Sequence, residues 1–137
     1  MNLYLDIDGV LLTKHGKHKP ADLEEFIDII LEYFDCYWLT THCKADSEPT
    51  IRYLSEYFDC DLLEKFKQIK PTNWQTLKTE AIDFSSDFIW CDDDPLRAEI
   101  RILEGNKVGD RLFLVDLGDK FADLTAFARF IRDRFLY

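Results

Sequence analysis

The stretch LYLDIDGVLL, residues 3–12, combines a short apolar segment with two acids. An apolar run that ends in acid predicts a strand buried on both faces of a parallel sheet, here from Leu3 to Ile7. Asp6 and Asp8 stand where this strand ends. Because ligands of open parallel sheets bind at the carboxyl ends of the strands, the stretch predicts the place of a functional site as well as a strand.

Strand-like and helical segments alternate over the rest of the chain. A small hairpin is predicted from Val10 to Lys17, and a helix after Pro20. The apolar stripe of that helix consists of Leu23, Phe26, Ile27, Ile30, Leu31 and Phe34. Further strands are predicted at residues 37–40, 62–63, 87–91 and 112–115. The alternation predicts one α/β domain over residues 1–137, a three-layer sandwich with helices on both faces of a Rossmann-like, five-stranded parallel sheet.

The composition narrows the classes of function. A chain of 137 residues is long enough to bury one sizeable core. Its 27 acidic and 17 basic residues give a net charge of −10, which argues against broad, sequence-independent binding to nucleic acid, because such binding depends on neutralising phosphates. No apolar run approaches the roughly 18 residues that span a bilayer, and no secretory signal precedes the first strand. The four cysteines form no C-x-x-C pair, so we expect reduced thiols and a cytoplasmic protein with no membrane partner.

Polar side chains gather at the ends of three predicted strands. Asp6 and Asp8 follow the first strand, Thr40 and Thr41 follow the second, and three consecutive acids, residues 92–94, end a later one. Carboxylates in this number suit Mg²⁺, and carboxylate nucleophiles form aspartyl-phosphates. Turn capping would explain any one of these acids, but not the placement of the whole set at strand ends.

Three segments resemble motifs of the haloacid dehalogenase (HAD) superfamily. LYLDIDGVLL (3–12) is similar to the first motif, WLTTH (38–42) to the second and FIWCDDDP (88–95) to the fourth, in the order of the family. Receiver domains of phosphorelays also place acids and a threonine at strand ends, but their second acid precedes the threonine. The intervals between the motifs are too short for the cap domain that many HAD enzymes insert. The resemblance therefore implies a HAD-like fold without a cap.

The resemblance also implies a role for each residue of the first two motifs. Asp6 would attack phosphorus, and Asp8 would protonate the leaving group and later activate water. Gly9 would permit the tight turn that lets Asp8 face the site. Thr40 would donate a hydrogen bond to a phosphoryl oxygen. Gly9 and Thr41 would contact the substrate.

The remaining implied roles concern a lysine and the metal. The third motif supplies a phosphate-binding lysine, for which Lys78 is the first choice and Lys70 the alternative. The residues implied as Mg²⁺ ligands are Asp6, Asp8 through its carbonyl, Asp92 and Asp93. Which of Asp92 and Asp93 contacts the metal directly stays open.

The function implied is an Mg²⁺-dependent phosphomonoester hydrolase with an aspartyl-phosphate intermediate. Capless family members keep an open site, so the substrate could be macromolecular, an RNA or DNA end or a phosphoprotein. The three segments are most similar to small HAD domains associated with RNA-repair proteins. Two alternatives stay open: a non-catalytic module that binds Mg²⁺ or a phospho-ligand, and a small-molecule phosphatase whose site is closed by a partner subunit. The sequence predicts no oligomeric state.

Overall fold

The computed structural model describes residues 1–14, 16–115 and 124–136. The strands in these ranges are Asn2–Leu5 (β1), Asp35–Trp38 (β2), Phe88–Asp92 (β3) and Leu112–Leu114 (β4). The α-helices are Leu23–Tyr33 (α1), Glu48–Leu54 (α2), Cys60–Phe66 (α3), Arg97–Gly105 (α4) and Leu124–Leu136 (α5). Two short 3-10 helices cover Lys78–Ala81 and Gly109–Arg111. None of the described helices has both the length and the apolar character needed to cross a membrane.

The four strands form one parallel sheet in the order β2-β1-β3-β4. Leu5, the last residue of the central strand β1, pairs with Trp38 on one side and with Cys91 on the other. This register brings the ends of β1, β2 and β3 to the same edge of the sheet. The residues that follow these strands therefore meet, as expected for an α/β protein with a parallel sheet flanked by helices.

Alternate residues of the central strand enter two separate cores, one on each face of the sheet. Leu3 and Leu5 belong to the larger core, which takes in residues from α1, α2, α3 and α5. Tyr4 points to the smaller core, which includes Trp90 of β3 and Leu103 of α4. Helices thus cover both faces, and the central strands β1 and β3 are buried throughout, apart from partly exposed Asn2.

The strand predicted at residues 62–63 is wrong, because this segment lies in helix α3. The Asp59 side chain caps the helix by accepting a hydrogen bond from the backbone N–H of Leu62 at 3.0 Å. Such a cap stabilises a helix by about 1 kcal/mol. Leu62 and Phe66 are one helical turn apart and both buried, so the apolar pair that suggested a strand is part of a helical face. The described residues accordingly form four strands instead of five.

A single backbone bridge stands at the outer edge of β2. The N–H of Lys70 donates to the carbonyl of Cys36 at 3.0 Å, and the N–H of Trp38 donates to the carbonyl of Lys70 at 2.8 Å. This parallel bridge pairs Lys70 with Tyr37 alone. The segment after α3 therefore runs along the sheet edge without extending it.

The predicted hairpin after β1 is a compact loop, and its described residues contain no strand. The N–H of Gly9 donates to the carbonyl of Leu12 at 2.7 Å, and the N–H of Thr13 donates to the carbonyl of His18 at 2.9 Å. The side chains of Val10 and Leu12 are fully buried in the larger core, which anchors the loop beside the strand ends. His15, part of the predicted turn, lies outside the described residues.

Candidate active site

Three carboxylates meet at the carboxyl edge of the sheet. Asp6 directly follows β1, Asp92 is the last residue of β3, and Asp93 comes next. One carboxylate oxygen from each lies within 4.8 Å of the others. Asp6 is 9% exposed and Asp92 1% exposed, so the site holds carboxylates that are largely removed from water.

The side chain of Lys78 lies among these carboxylates. Its Nζ is 2.6 Å from Oδ2 of Asp92 and 3.3 Å from Oδ2 of Asp6. Buried Glu99 of α4 fixes the start of the 3-10 helix, because it accepts hydrogen bonds from the backbone N–H groups of Lys78 at 2.5 Å and Leu96 at 2.8 Å. Burial lowers the pKa of Lys78, but the charges of Asp6 and Asp92 outweigh it and hold that pKa above its usual range. Lys78 is therefore a fixed positive charge next to the candidate nucleophile.

Lys70, the alternative phosphate-binding lysine, lies elsewhere. Its Nζ is 5.4 Å from the centre of the Tyr37 ring. Its backbone forms the bridge at the outer edge of β2. The structure thus brings Lys78, and not Lys70, into contact with the carboxylates.

Two carboxylates of the cluster have raised pKa values, and a bound cation would lower them. Burial, and then the charge of Asp92, raise the pKa of Asp6 to about 7, although Lys78 and a hydrogen bond with Thr40 act against them. Burial and the charge of Asp92 also raise the pKa of Asp93. Like charges placed this closely favour a bound cation. Asp6, Asp92 and Asp93 offer three carboxylate oxygens, the kind of ligand that Mg²⁺ prefers.

Asp8 does not share this environment, because three side chains hold its carboxylate. Its Oδ1 accepts hydrogen bonds from Tyr53 Oη at 2.6 Å and from Lys17 Nζ at 2.7 Å. Its Oδ2 is 3.0 Å from His42 Nε2, and the rings of His42 and Tyr53 are stacked with their centres 3.7 Å apart. Burial raises the pKa of Asp8, but the hydrogen bonds from His42, Lys17 and Tyr53 lower it well below its usual range. The metal role assigned to Asp8 concerns its backbone carbonyl and stays a prediction.

The other predicted site residues are Thr40, Thr41 and Gly9, and they differ in burial and in contacts. Thr40 is fully buried, hydrogen-bonds with Asp6 and accepts a hydrogen bond from the N–H of His42 at 3.3 Å. Thr41 is exposed. Gly9 has a φ of 83°, and a Cβ there would overlap the Asp93 side chain. Glycine at this position therefore allows both the turn after Asp8 and the close packing of Asp93.

The sequence did not identify the side chains that bind Asp8 or the glutamate that binds the Lys78 backbone. His42 is the last residue of the segment that resembles the second motif, and a polar residue there was a usable signal. Glu99 stands in the first turn of a helix, where an acid that binds backbone N–H groups is common. Tyr53 lies 45 positions from Asp8, and no local pattern joins them.

Comparison of the chain with protein-family models, with curated proteins and with solved structures found no match.

Binding of Mg²⁺ to these carboxylates should stabilise the folded protein. Mg²⁺ should raise the melting temperature, since at a hundred times its dissociation constant a ligand of the folded state adds about 2.7 kcal/mol, or several degrees. Asp93→Asn removes one of the repelling charges together with a 3.4 Å ion pair to half-exposed Lys14, whose effect on the pKa of Asp93 is outweighed by burial and the charge of Asp92. This variant should melt higher than the wild type in chelator and gain less from Mg²⁺. Thermal scans in chelator and in millimolar Mg²⁺ measure both effects.

Asp94→Asn is the matched control, because Asp94 is exposed and lies outside the three-carboxylate group. Equal behaviour of the two variants would contradict a metal site.

The stability of the folded protein should depend on pH through Asp6. The folded pKa of Asp6, about 7, exceeds the unfolded value near 4, so the folded state binds more protons between these values. The Asp6 contribution to stability therefore falls as the pH rises through this window, and the gain from Mg²⁺ should be larger at pH 8 than at pH 5.

Proposed function

We propose that the protein is an Mg²⁺-dependent phosphomonoester hydrolase of the HAD type, with Asp6 as its nucleophile. One observation carries the proposal: buried Asp6 stands at the end of β1, with Lys78 Nζ 3.3 Å from its carboxylate and two further carboxylates within 4.8 Å. A nucleophile, a fixed positive charge and oxygen donors for a divalent cation thus share one strand-end site. These are the components of phosphoryl transfer through an aspartyl-phosphate.

The reaction begins with attack of an Asp6 carboxylate oxygen on phosphorus, which breaks the ester bond and leaves the phosphoryl group on Asp6. Lys78 and the Thr40 hydroxyl donate to the phosphoryl oxygens and stabilise the charge that spreads over them in the transition state. Asp6, Asp92, Asp93 and the Asp8 carbonyl would hold Mg²⁺, which would supply further charge neutralisation. Water then attacks the phosphoryl group and releases phosphate, which restores Asp6.

Asp8 serves the two proton transfers of this cycle. Its three hydrogen-bond donors keep the carboxylate ionised, which suits the second step, when it accepts a proton from the attacking water. The same donors make it a weaker acid catalyst for the leaving oxygen. The proposed enzyme should therefore act best on esters whose leaving group needs little protonation.

The elements around the site are consistent with an open site that admits a large substrate. Between Asp8 and Thr40 the described residues form the compact loop and α1, and between Thr41 and Lys78 they form α2 and α3. The buried residues of these elements belong to the larger core, which supports a site without a cap. We propose a cytoplasmic enzyme that acts on a macromolecular phosphate, an RNA or DNA end or a phosphoprotein, in keeping with the family resemblance.

A second candidate function is a non-catalytic module that binds Mg²⁺ and a phospho-ligand on the same fold. The observation in its favour is the engagement of Asp8, whose two carboxylate oxygens are both taken by protein donors. Such a module would bind phosphate and metal without turnover.

The test compares hydrolysis in Mg²⁺ and in chelator for an aryl phosphate, a phosphopeptide and oligonucleotides with 3′- or 5′-phosphates. The wild type should hydrolyse at least one substrate only with Mg²⁺. Lys78→Ala should lose about 10²–10³-fold in kcat/KM, as removal of a preorganised donor does. Lys70→Ala is the matched control and should retain full activity, because Lys70 is exposed and contacts Tyr37 instead. Binding of Mg²⁺ and phosphate without turnover would favour the second candidate.

A further inference from the structure

A cavity of about 280 Å³ lies beside the carboxylate site and has Lys78 in its wall. We call it the side cavity. Its other lining residues are Thr41, Trp74, Thr76, Asp94, Leu96 and Glu99. Lys78 connects the two spaces, because its Nζ contacts Asp6 and Asp92 while its side chain borders the cavity.

Two large apolar side chains line the side cavity. Trp74 is 8% exposed and so forms a buried part of the wall. Leu96 also lines the cavity and is 55% exposed. The indole N–H of Trp74 has no acceptor within the described ranges. A bound group with an apolar body would bury Leu96 and contact Trp74.

Charged groups of both signs surround the side cavity. Lys78 lies in the wall, and Lys44 Nζ is 4.3 Å from the centre of the Trp74 ring. Both carboxylate oxygens of Glu99 accept hydrogen bonds from the backbone N–H groups of Lys78 and Leu96, and exposed Asp94 adds a second carboxylate. The exposed residues Thr41 and Thr76 carry hydroxyls, so a group with polar atoms at its edge would find partners.

The size of the side cavity limits what it holds. Pockets for drug-sized ligands occupy about 300–1,000 Å³, so a volume of about 280 Å³ fits one ring system and not a longer chain. We propose that the side cavity binds the organic group of the phosphomonoester and that this group is an aromatic ring, which among the proposed substrates favours a phosphoprotein over a nucleic-acid end. The inference rests on the proposed function, since the phosphoryl group must lie between Asp6 and Lys78 for its ester substituent to reach the cavity.

The experiment uses phosphonates, which bind without turnover. Dissociation constants for phenylphosphonate and methylphosphonate are measured by calorimetry in Mg²⁺ for the full chain. The wild type should bind phenylphosphonate about tenfold more tightly, the low end of what an apolar pocket gains from an added group. Leu96→Ala should remove most of this preference, and Thr76→Tyr, which narrows the opening, should weaken phenylphosphonate alone.

Leu114→Ala is the matched control, because Leu114 is a 65% exposed leucine on β4 and does not line the side cavity. It should keep the wild-type preference. Equal affinity for the two phosphonates in the wild type, or a preference that survives both Leu96→Ala and Thr76→Tyr, would overturn the inference while leaving the phosphate site intact. Failure of the wild type to bind either phosphonate would overturn the inference together with the proposed function.

Discussion

Asp6→Asn should reduce phosphatase activity to the background rate, the largest effect that we expect of any single change. The amide cannot form an aspartyl-phosphate, so the covalent step is lost entirely. Steady-state hydrolysis of an aryl phosphate in Mg²⁺ measures the loss. Rapid acid quenching of the wild type should also trap a hydroxylamine-sensitive phosphoprotein that the variant lacks.

The same variant separates chemistry from folding. Burial disfavours the charged form of Asp6, and a neutral amide of the same shape avoids that cost, so Asp6→Asn should melt at or above the wild-type temperature in chelator. Asp61→Asn, which changes the net charge equally at an exposed position of α3, should remain fully active. Residual activity of Asp6→Asn near the wild-type level would refute the assignment of the nucleophile.

Asp8→Asn should produce the second largest effect, and its size should depend on the substrate. Loss of general acid–base catalysis costs roughly 10²–10⁴-fold for an alkyl phosphate, whose leaving oxygen needs a proton. The loss should be much smaller for a nitrophenyl phosphate, which needs no such help. Comparing kcat/KM, which reports the covalent step, for the two substrates in the wild type and the variant gives the measurement.

Tyr53→Phe is the companion variant, since it removes one hydrogen bond of 2.6 Å to Asp8 and keeps the ring that stacks on His42. Because that donor lowers the pKa of Asp8, its loss should leave more of the protonated acid and narrow the rate difference between the nitrophenyl and the alkyl phosphate. If Asp8→Asn lowers kcat/KM equally for both substrates, Asp8 has a structural role or a role in metal binding instead of acting as the acid.

The parts of the fold that were predictable from sequence are those with a local signal. The buried strands of the sheet appear as short apolar runs, and the end of each run marks where Asp6, Thr40 and Asp92 emerge. Parallel pairing then brings these ends together without further information. The pair Leu62–Leu63 shows the limit, because two adjacent leucines fit either a strand or a helix and only the Asp59 cap decides between them.

The parts of the site that were not predictable depend on contacts between distant residues. The choice between Lys78 and Lys70 is made by Glu99, which holds the Lys78 backbone across 21 positions. Asp8 accepts a hydrogen bond from Tyr53 of α2, 45 positions away. Such pairs follow from how α2 and α4 pack on the sheet, and a single sequence records only that the residues are polar.

The side chains of the site come from two kinds of element, the central strands β1 and β3 and the outer elements around them. Asp6 and Asp92 extend from strands bonded on both sides, and the pairing of these strands breaks only when the whole domain unfolds. The partners of Asp8 come from the loop that carries Lys17 and from α2, a helix of seven residues. In the proposed mechanism, local opening of these outer elements would release the Asp8 carboxylate for proton transfer while Asp6 keeps its position. The rigid strands would then hold the nucleophile, and the outer elements would control the proton carrier.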